Sequence, residues 1–168
     1  MLEKFFPNFV FNKVEDISYN FLQKNKIKAL IFDMDNTLVN KKHEFTNEIK
    51  SHINLLKKNK IKICILSNTP RIKTLKDVAK KLGIDCLGFA RKPGIKGFDR
   101  ATKLLEEPKE NIAVVGDQLF TDVYGGNKFG IKTILVDAIE DKEFIGTKIK
   151  RPLERYVMKK FKERENKN

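Results

Sequence analysis

Four short apolar runs recur along the chain, and each is nearly continuous rather than alternating with polar residues. The runs are rich in Ile and Val, and each is bounded by polar residues. A continuous apolar run is typical of a strand covered on both faces, as in a parallel sheet. The runs lie at residues 27–33, 61–67, 111–117 and 132–137, and a shorter run lies at residues 86–90.

Helical periodicity marks the stretches between these runs, where apolar side chains recur every three or four residues. Gly83 follows the second stretch, at the position where glycine most often caps a helix C-terminus. Strand and helix therefore alternate, which predicts an α/β fold with a parallel sheet and helices on both faces, a three-layer sandwich. The helical stretches are residues 47–58, 72–82 and 99–105.

The two ends of the chain carry different patterns. Residues 5–11 form a compact aromatic cluster, and a basic amphipathic helix is predicted from about residue 150. Either end could pack on the sheet or dock on an anionic membrane leaflet, where a basic residue contributes about 1 kcal/mol. No repeat or linker separates the ends from the rest, so a single domain is predicted over residues 1–168.

Composition adds a strong positive charge to this outline. The 168 residues contain 35 Lys and Arg against 22 Asp and Glu, a formal net charge of +13, and the length fits one domain. Residues 41–81 hold twelve basic and three acidic side chains, and residues 148–168 hold nine and three. A basic surface suits nucleic acid, anionic lipid or phosphorylated substrates.

Several protein classes are excluded by the sequence. No apolar run approaches the roughly 18 residues of a transmembrane helix, and the N-terminus lacks the pattern of a secretory signal. Two cysteines cannot form a disulfide framework, and Cys64 lies in an apolar run, which indicates a reduced, buried thiol. A cytoplasmic protein, with possible peripheral contact to the inner face of the membrane, is therefore the expectation.

Polar side chains follow the predicted strands at the edge where open α/β sheets bind ligands. Eight polar side chains are expected to meet there: four acids, two hydroxyl groups, an amide and a lysine. They are Asp33, Asp35 and Thr37 after the first run, Ser67 and Asn68 after the second, Lys92 after the short run, and Asp117 and Asp122 after the third.

These residue types together indicate phosphate chemistry. Asp33 and Asp35 leave one face of a strand about 7 Å apart, so their carboxylates repel unless a cation neutralises them. Clustered carboxylates are ligands for Mg²⁺, and Ser67 and Lys92 can donate to phosphoryl oxygens. A carboxylate nucleophile beside a second carboxyl acid/base favours an aspartyl-phosphate mechanism.

The same residues, in this order, resemble the four motifs of the haloacid dehalogenase (HAD) superfamily of phosphotransferases. Longer stretches, among them IKALIFDMDNTLV, VVGDQLFTDVYGGNKFGIKTILV and TKIKRPLER, are similar to the YqeG-type subfamily IIIA phosphatases. That group is related to phosphatidylglycerophosphate phosphatases, and the resemblance covers roughly residues 1–157. It implies a HAD-like Rossmannoid domain.

The resemblance also implies a role for each motif residue. Asp33 would be the nucleophile and a Mg²⁺ ligand, while Asp35 would protonate the leaving oxygen, activate water and offer its backbone carbonyl to the metal. Thr37 would shape the turn after the strand, Ser67 and Lys92 would hold the phosphoryl oxygens, and Asn68 would help to orient the substrate. Asp117 would bind Mg²⁺, and Asp122 would either support the metal or pair with Lys92.

The spacing of the motifs leaves little room for an inserted cap domain. Only residues 36–66 separate Asp35 from Ser67, and only residues 69–91 separate Asn68 from Lys92. One predicted helix occupies much of each gap. We therefore expect an open, capless site, which favours a substrate whose bulk stays outside, such as a lipid headgroup, a protein or a nucleic-acid end.

The leading hypothesis is a Mg²⁺-dependent phosphatase in phospholipid metabolism, and the subfamily resemblance favours phosphatidylglycerophosphate, hydrolysed to phosphatidylglycerol. A soluble phosphometabolite or a nucleic-acid end is the alternative substrate. A different class, a basic nucleic-acid-binding module, lacks a helix-turn-helix signature, zinc ligands or an aromatic RNA-binding strand, so nucleic acid is an unlikely partner. The oligomeric state does not follow from the sequence.

Two of three smaller features have two interpretations each. Gly125 and Gly126 indicate close helix packing more strongly than a phosphate loop. Thr147, Lys148, Arg151 and Arg155 either bind anionic headgroups or form a solvated face. His43 and His52 are interpreted as solvated residues without a role.

Overall fold

A six-stranded, all-parallel sheet forms the centre of the protein, seen in a computed structural model that describes residues 2–140 and 145–166. The strand order is β1-β6-β5-β2-β3-β4. The four predicted runs are confirmed as β2, β3, β5 and β6. The strands are β1 Phe9–Phe11, β2 Ala29–Phe32, β3 Lys62–Leu66, β4 Asp85–Leu87, β5 Ile112–Gly116 and β6 Lys132–Val136.

Within the described residues, six α-helices and four short helical segments connect or flank these strands. They are α1 Tyr19–Lys24, α2 Asn47–Lys58, α3 Ile72–Leu82, α4 Ile95–Leu105, α5 Tyr124–Phe129 and α6 Ile145–Glu165, with 3₁₀ turns at Glu3–Phe5, Val14–Asp16 and Lys109–Asn111 and a π-helical segment at Leu119–Val123. The structure gives α2 and α3 their predicted bounds. Two helices begin earlier than predicted: α4 begins at Ile95 rather than at residue 99, and α6 begins at Ile145 rather than at about residue 150.

Local sequence explains where α2 and α3 begin and end. The Thr46 hydroxyl caps α2 by accepting a hydrogen bond of 3.3 Å from the backbone N–H of Ile49. Gly83 ends α3 in the left-handed region, at φ +64°, where a residue with a side chain would be strained. The predicted glycine cap is confirmed.

The two edge strands, β1 and β4, are three residues long and carry weak sequence signals. In β1, Phe9 and Phe11 both pack edge-to-face on Phe21 of α1, with ring centroids 4.9 Å apart in each pair. The aromatic cluster at the N-terminus therefore includes a strand, which the sequence analysis did not predict. The short run at residues 86–90 is a strand only at its beginning.

Both faces of the sheet are covered, which explains why the central strands are continuously apolar. On one face, α2 and α3 pack against Ala113 and Val115 of β5. On the other, α4 and the end of α5 pack against Ile112 and Val114. Alternate residues of one strand thus enter two separate cores, and no position of the strand faces water.

The termini lie against the protein through aromatic contacts. Phe5 contacts Phe120 at 5.2 Å between ring centroids, and Phe6 contacts Phe161 of α6 at 5.7 Å. Val157 of α6 is buried in the same cluster. Both ends pack on the fold, as one of the two interpretations of the sequence proposed, and docking of these ends on a membrane stays a prediction. Among the described residues, no helix is both long and apolar enough to cross a bilayer.

The two cysteines are free thiols, as the sequence predicted. Cys64 is fully buried in β3, and burial raises the pKa of its thiol to about 12. Cys86 is partly buried, and burial raises the pKa of its thiol as well. Because the thiolate is the reactive form, both side chains are packing residues at neutral pH.

Gly125 and Gly126 at the start of α5 are close-packing positions. A Cβ on Gly125 would lie 2.6 Å from the Phe98 ring, and one on Gly126 would lie 2.6 Å from both Thr133 and Val114. Side chains do not tolerate such distances. The packing interpretation of these glycines is therefore the one that the structure supports.

We expect Gly126→Ala to lower the free energy of unfolding by about 1–3 kcal/mol, because the added methyl group overpacks the interface between α5 and the sheet. Urea denaturation measures this change. Lys128→Ala is the matched control, because Lys128 is exposed on the same helix and its truncation adds no atoms to the interface. Equal losses in the two variants would contradict the packing argument.

Candidate active site

The predicted site residues meet at the carboxyl ends of the strands. Asp33, Lys92 and Asp122 form its buried centre, with Thr37 and Ser67 also buried. Asp117 and Asp35 are partly exposed, and Asn68 is exposed at the mouth. Their convergence is a result of the parallel sheet, which brings the ends of β2, β3 and β5 to one edge.

The Lys92 ammonium group lies between two carboxylates. Its Nζ donates to Asp33 Oδ1 at 2.6 Å and to Asp122 Oδ1 at 2.7 Å. The Lys92 side chain is only 2% exposed. A buried charge of this kind is stable only where opposite charges and hydrogen bonds compensate its lost hydration. The two carboxylates supply both.

The neighbouring carboxylates keep Lys92 protonated, and Lys92 in turn neutralises only part of their negative charge. Burial disfavours the ammonium form, but Asp122 and Asp33 together outweigh it and hold the pKa of Lys92 above its ordinary value. Burial raises the pKa of Asp122 to about 7; Lys92 opposes this shift, while Asp33 and Asp117 reinforce it. The Lys92 ammonium contacts two of these three neighbouring carboxyl groups, so the set favours a further cation.

Asn68 holds the backbone of Lys92 in place. The Asn68 carbonyl oxygen accepts from the Lys92 N–H at 2.7 Å, and the Asn68 amide donates to the Lys92 carbonyl at 3.1 Å. The backbone N–H of Ala90 also donates to the Ser67 carbonyl at 3.0 Å. The loop after β4 is thereby fastened to the end of β3. This positioning contact was not part of the sequence prediction for Asn68.

Three carboxylates are arranged as a candidate cation site. Asp33, Asp117 and Asp122 each offer one oxygen, and these oxygens lie within 4.8 Å of one another. Oxygen-only donors of this kind fit Mg²⁺, which usually takes one or two carboxylates, waters and substrate phosphate. The Thr37 hydroxyl donates to Asp117 Oδ1 at 3.1 Å and so orients that carboxylate. The residues present therefore fit the predicted metal.

Asp122 makes the contact with Lys92 that was one of its two predicted roles, and its other predicted role, at the metal, stays a prediction. It pairs with Lys92 and belongs to the carboxylate cluster. Its second oxygen accepts from the Gln118 N–H at 3.3 Å. Gly116 makes room for it, because a Cβ there would lie 2.3 Å from the Asp122 carboxylate. The glycine before Asp117 is thus a steric requirement of the site.

Asp35 stands apart from the buried cluster. Its side chain is 42% exposed, and its Oδ1 lies 3.4 Å from Nδ1 of His43, close enough for an ion pair when His43 is protonated. The sequence analysis assigned no role to His43. An exposed carboxyl at the mouth suits proton exchange with a leaving group. The predicted contact of the Asp35 backbone carbonyl with the metal stays a prediction.

Asn36 is a structural residue of the site that the sequence analysis missed. It is buried and lies at φ +67°, a conformation that Asn tolerates better than most residues. Its side chain donates to the Glu140 carbonyl at 2.7 Å and accepts from the Glu140 N–H at 2.8 Å. This pair ties the turn after β2 to the segment after β6.

No cap domain lies between the site motifs, as their spacing predicted. All of residues 36–66 and 69–91 are described, and each gap holds one helix, α2 or α3, with short loops. Neither gap contains a cap domain. Of the basic residues predicted near headgroups, the side chains of Lys148 and Arg151, with Thr147, lie outside the described part, while Arg155 is exposed on α6.

Comparisons with known proteins agree with this geometry. The family model described as mitochondrial PGP phosphatase matches residues 2–140. The chain is 36% identical over 164 residues to YqeG of Bacillus subtilis (strain 168), which is named a probable phosphatase. The alignment covers 96% of this chain and 95% of that protein.

Two solved structures show the same fold. An uncharacterised protein from Listeria monocytogenes serotype 4b superposes with a TM-score of 0.57 at 22% sequence identity. The superposition covers 70% of this chain and 85% of that chain. The 3-deoxy-D-manno-octulosonate 8-phosphate phosphatase of Yersinia pestis superposes with a TM-score of 0.53 at 20% identity, covering 71% and 70%. At these identities the likeness concerns the fold alone.

We expect Lys92→Met to lower the free energy of unfolding by about 3–5 kcal/mol in EDTA, because two buried carboxylates lose their only described cation. Added Mg²⁺ should recover part of the loss by binding the same carboxylates. Urea denaturation with and without Mg²⁺ measures both effects. Lys103→Met, which breaks an exposed pair with Asp99, is the control and should stay near wild type. A stable, metal-insensitive Lys92→Met would contradict the electrostatic account.

Proposed function

The chain belongs to the mitochondrial PGP phosphatase family and is a HAD-type phosphatase, and on this premise we propose that it hydrolyses phosphatidylglycerophosphate to phosphatidylglycerol through an aspartyl-phosphate on Asp33. The observation that carries the proposal is the buried contact between Lys92, Asp33 and Asp122 beside Asp117. It combines a carboxylate nucleophile with the positive charge and oxygen ligands that phosphoryl transfer needs.

In the first step, an oxygen of Asp33 attacks phosphorus as the bond from phosphorus to the leaving alcohol oxygen breaks. Asp35 gives its proton to that oxygen, so the alcohol leaves neutral. Its exposed position at the mouth is where the leaving group of a bulky substrate would lie. The product of this step is a phosphorylated Asp33.

In the second step, water attacks the same phosphorus and Asp35 takes the water proton. The bond between phosphorus and Asp33 breaks, which releases inorganic phosphate and restores the Asp33 carboxylate. Asp35 thus regains in the second step the proton that it gave up in the first. No further acid or base is needed.

The remaining polar residues bind and orient the phosphoryl group. The Lys92 ammonium and the Ser67 hydroxyl would donate to its equatorial oxygens, where negative charge accumulates during transfer. Mg²⁺, held by Asp33, Asp117 and Asp122, would supply further positive charge to those oxygens. Asn68 would act through Lys92, whose backbone it holds on both sides.

The open mouth and the family membership support a lipid substrate. A site without a cap can accept a headgroup phosphate while the acyl chains stay in a bilayer. A soluble phosphometabolite or a nucleic-acid end is compatible with the same chemistry and is therefore the competing substrate class.

We expect Asp33→Asn to reduce hydrolysis of an aryl phosphate to background, because the amide cannot form the phosphorylated intermediate. Asp35→Asn should lose about 10²–10⁴-fold in kcat, the usual contribution of general acid–base catalysis. EDTA should abolish wild-type activity and Mg²⁺ should restore it. Asp77→Asn, on the exposed face of α3, is the matched control and should behave as wild type. Full activity in Asp33→Asn would refute the mechanism.

A substrate panel tests the lipid assignment separately. We expect kcat/KM for phosphatidylglycerophosphate in mixed micelles to exceed that for soluble sugar phosphates and for 5′- and 3′-phosphorylated oligonucleotides, because only the lipid matches the family. Phosphate release measured at equal phosphomonoester concentration gives the ranking. Faster hydrolysis of a soluble sugar phosphate or an oligonucleotide would replace the lipid assignment while leaving the aspartyl-phosphate chemistry intact.

A further inference from the structure

A basic and apolar surface flanks the site on the side of β3 and β4, and we propose that this surface docks the enzyme on an anionic lipid bilayer. We call it the flanking surface and define it by Arg71, Phe89, Arg91, Ile95 and Lys96, all exposed. The inference rests on the proposed lipid substrate and names the part of the protein that would bring the site to it.

The apolar members of the flanking surface are unusually exposed. Phe89 is 60% exposed, the largest fraction among the large apolar side chains of the described residues, and Ile95 is 44% exposed. Single exposed apolar residues are common and carry no meaning alone. Here Phe89 lies on the loop before Lys92, and Ile95 is the first residue of α4, three residues after Lys92. Apolar side chains among basic ones are the composition of a surface that enters a lipid headgroup layer.

The charge around these two side chains has one sign. Apart from the buried Lys92, residues 68–76 and 86–98 contain five basic residues and no acidic residue. The next acid after the second stretch, Asp99, pairs with Lys103 at 2.7 Å. On the opposite side of the site, the segment after β6 carries Asp137 and Glu140. The loops after β3 and β4 therefore present positive charge at this border of the site, where it would attract an anionic leaflet.

The flanking surface is firmly joined to the site. A Cβ on Gly88 would lie 2.3 Å from Ile72, so the loop after β4 packs directly on the start of α3. Asn68 then bonds both backbone groups of Lys92. Since Phe89 lies three residues before Lys92, a bilayer that receives Phe89 would have its headgroups at the mouth of the site.

The backbone of this loop supports a presenting role for Phe89. Phe89 and Arg91 lie at φ +49° and +53°, in the left-handed region that side-chain-bearing residues rarely adopt. Strain of this kind persists only where the surrounding contacts impose it, and it clusters at functional segments. The strained loop keeps the Phe89 ring in solvent and the Lys92 side chain, three residues on, in the buried site.

A second exposed apolar pair lies on α6, where Leu153 and Tyr156 are 50% and 49% exposed beside Arg155 and Lys159. Nothing in the described contacts joins this pair to Lys92 or Asp33. We therefore assign the docking contact to the flanking surface. Insertion of α6 in its place is an outcome that the experiment can detect.

Single-tryptophan variants test the proposal, because the chain contains no tryptophan. We expect the emission of Phe89→Trp to shift to shorter wavelength, and to be quenched by brominated lipid, when vesicles of phosphatidylglycerol and phosphatidylcholine are added. Pure phosphatidylcholine vesicles should have little effect. Leu104→Trp is the matched control: Leu104 is 42% exposed in a lysine-lined groove at the opposite end of the sheet, and its emission should not change.

Vesicle flotation measures the contribution of charge. Arg71→Ala and Arg91→Ala should each lower the partition coefficient about fivefold, and both effects should shrink at high salt. Lys80→Ala, on the far end of α3, should have little effect, and circular dichroism confirms that each variant is folded. Unchanged Phe89→Trp emission with anionic vesicles would overturn the proposal, as would a shift confined to Tyr156→Trp.

The docking proposal and the substrate proposal fail in different measurements. Wild-type protein that binds vesicles through Phe89 but does not hydrolyse phosphatidylglycerophosphate in micelles supports the docking surface and rejects the substrate. Wild-type protein that hydrolyses the lipid in detergent micelles but does not float with anionic vesicles at low salt rejects the docking surface and leaves the substrate standing.

Discussion

The buried contact of Lys92 with Asp33 and Asp122 is the constraint on which the rest of the site depends. Charges taken out of water are tolerated only when partners are held at hydrogen-bond distance. This contact requires three separate parts of the chain to meet: the end of β2, the loop after β4 and the π-helical segment after β5. The same arrangement leaves carboxylate oxygens close together, which is why the cluster fits a divalent cation.

The strand order explains how these parts reach one another. Because β2 and β5 are neighbours, with Phe32 opposite Val115, Asp33 emerges beside Gly116 and Asp117. The strand before Lys92 lies at the edge of the sheet, with β3 in between. The loop after β4 must therefore cross the end of β3, and Asn68 is placed there to hold it. The positioning role of Asn68 follows from this geometry.

This arrangement shows where the unevenly distributed charges of the chain lie relative to the site. The acids that matter for chemistry are gathered around one lysine, and the loops that border them after β3 and β4 are basic. The chain, with a net charge of +13, is a phosphatase whose centre is rich in carboxylates and fits a metal, and whose border after β3 and β4 is positive. Positive charge at the border suits a phosphorylated anion.

Hydrophobic period and motif spacing are local properties. From them the sequence predicted the layered α/β fold, the central strands β2, β3, β5 and β6, the bounds of α2 and α3, and the polar residues that meet at the strand ends. It did not reveal β1, the clamp made by Asn68, the anchoring of Asn36 on Glu140, or the place of His43 beside Asp35. Each of these depends on partners distant in the chain or on backbone shape. Only tertiary structure decides which polar side chains share a strand end, and how much water remains around them.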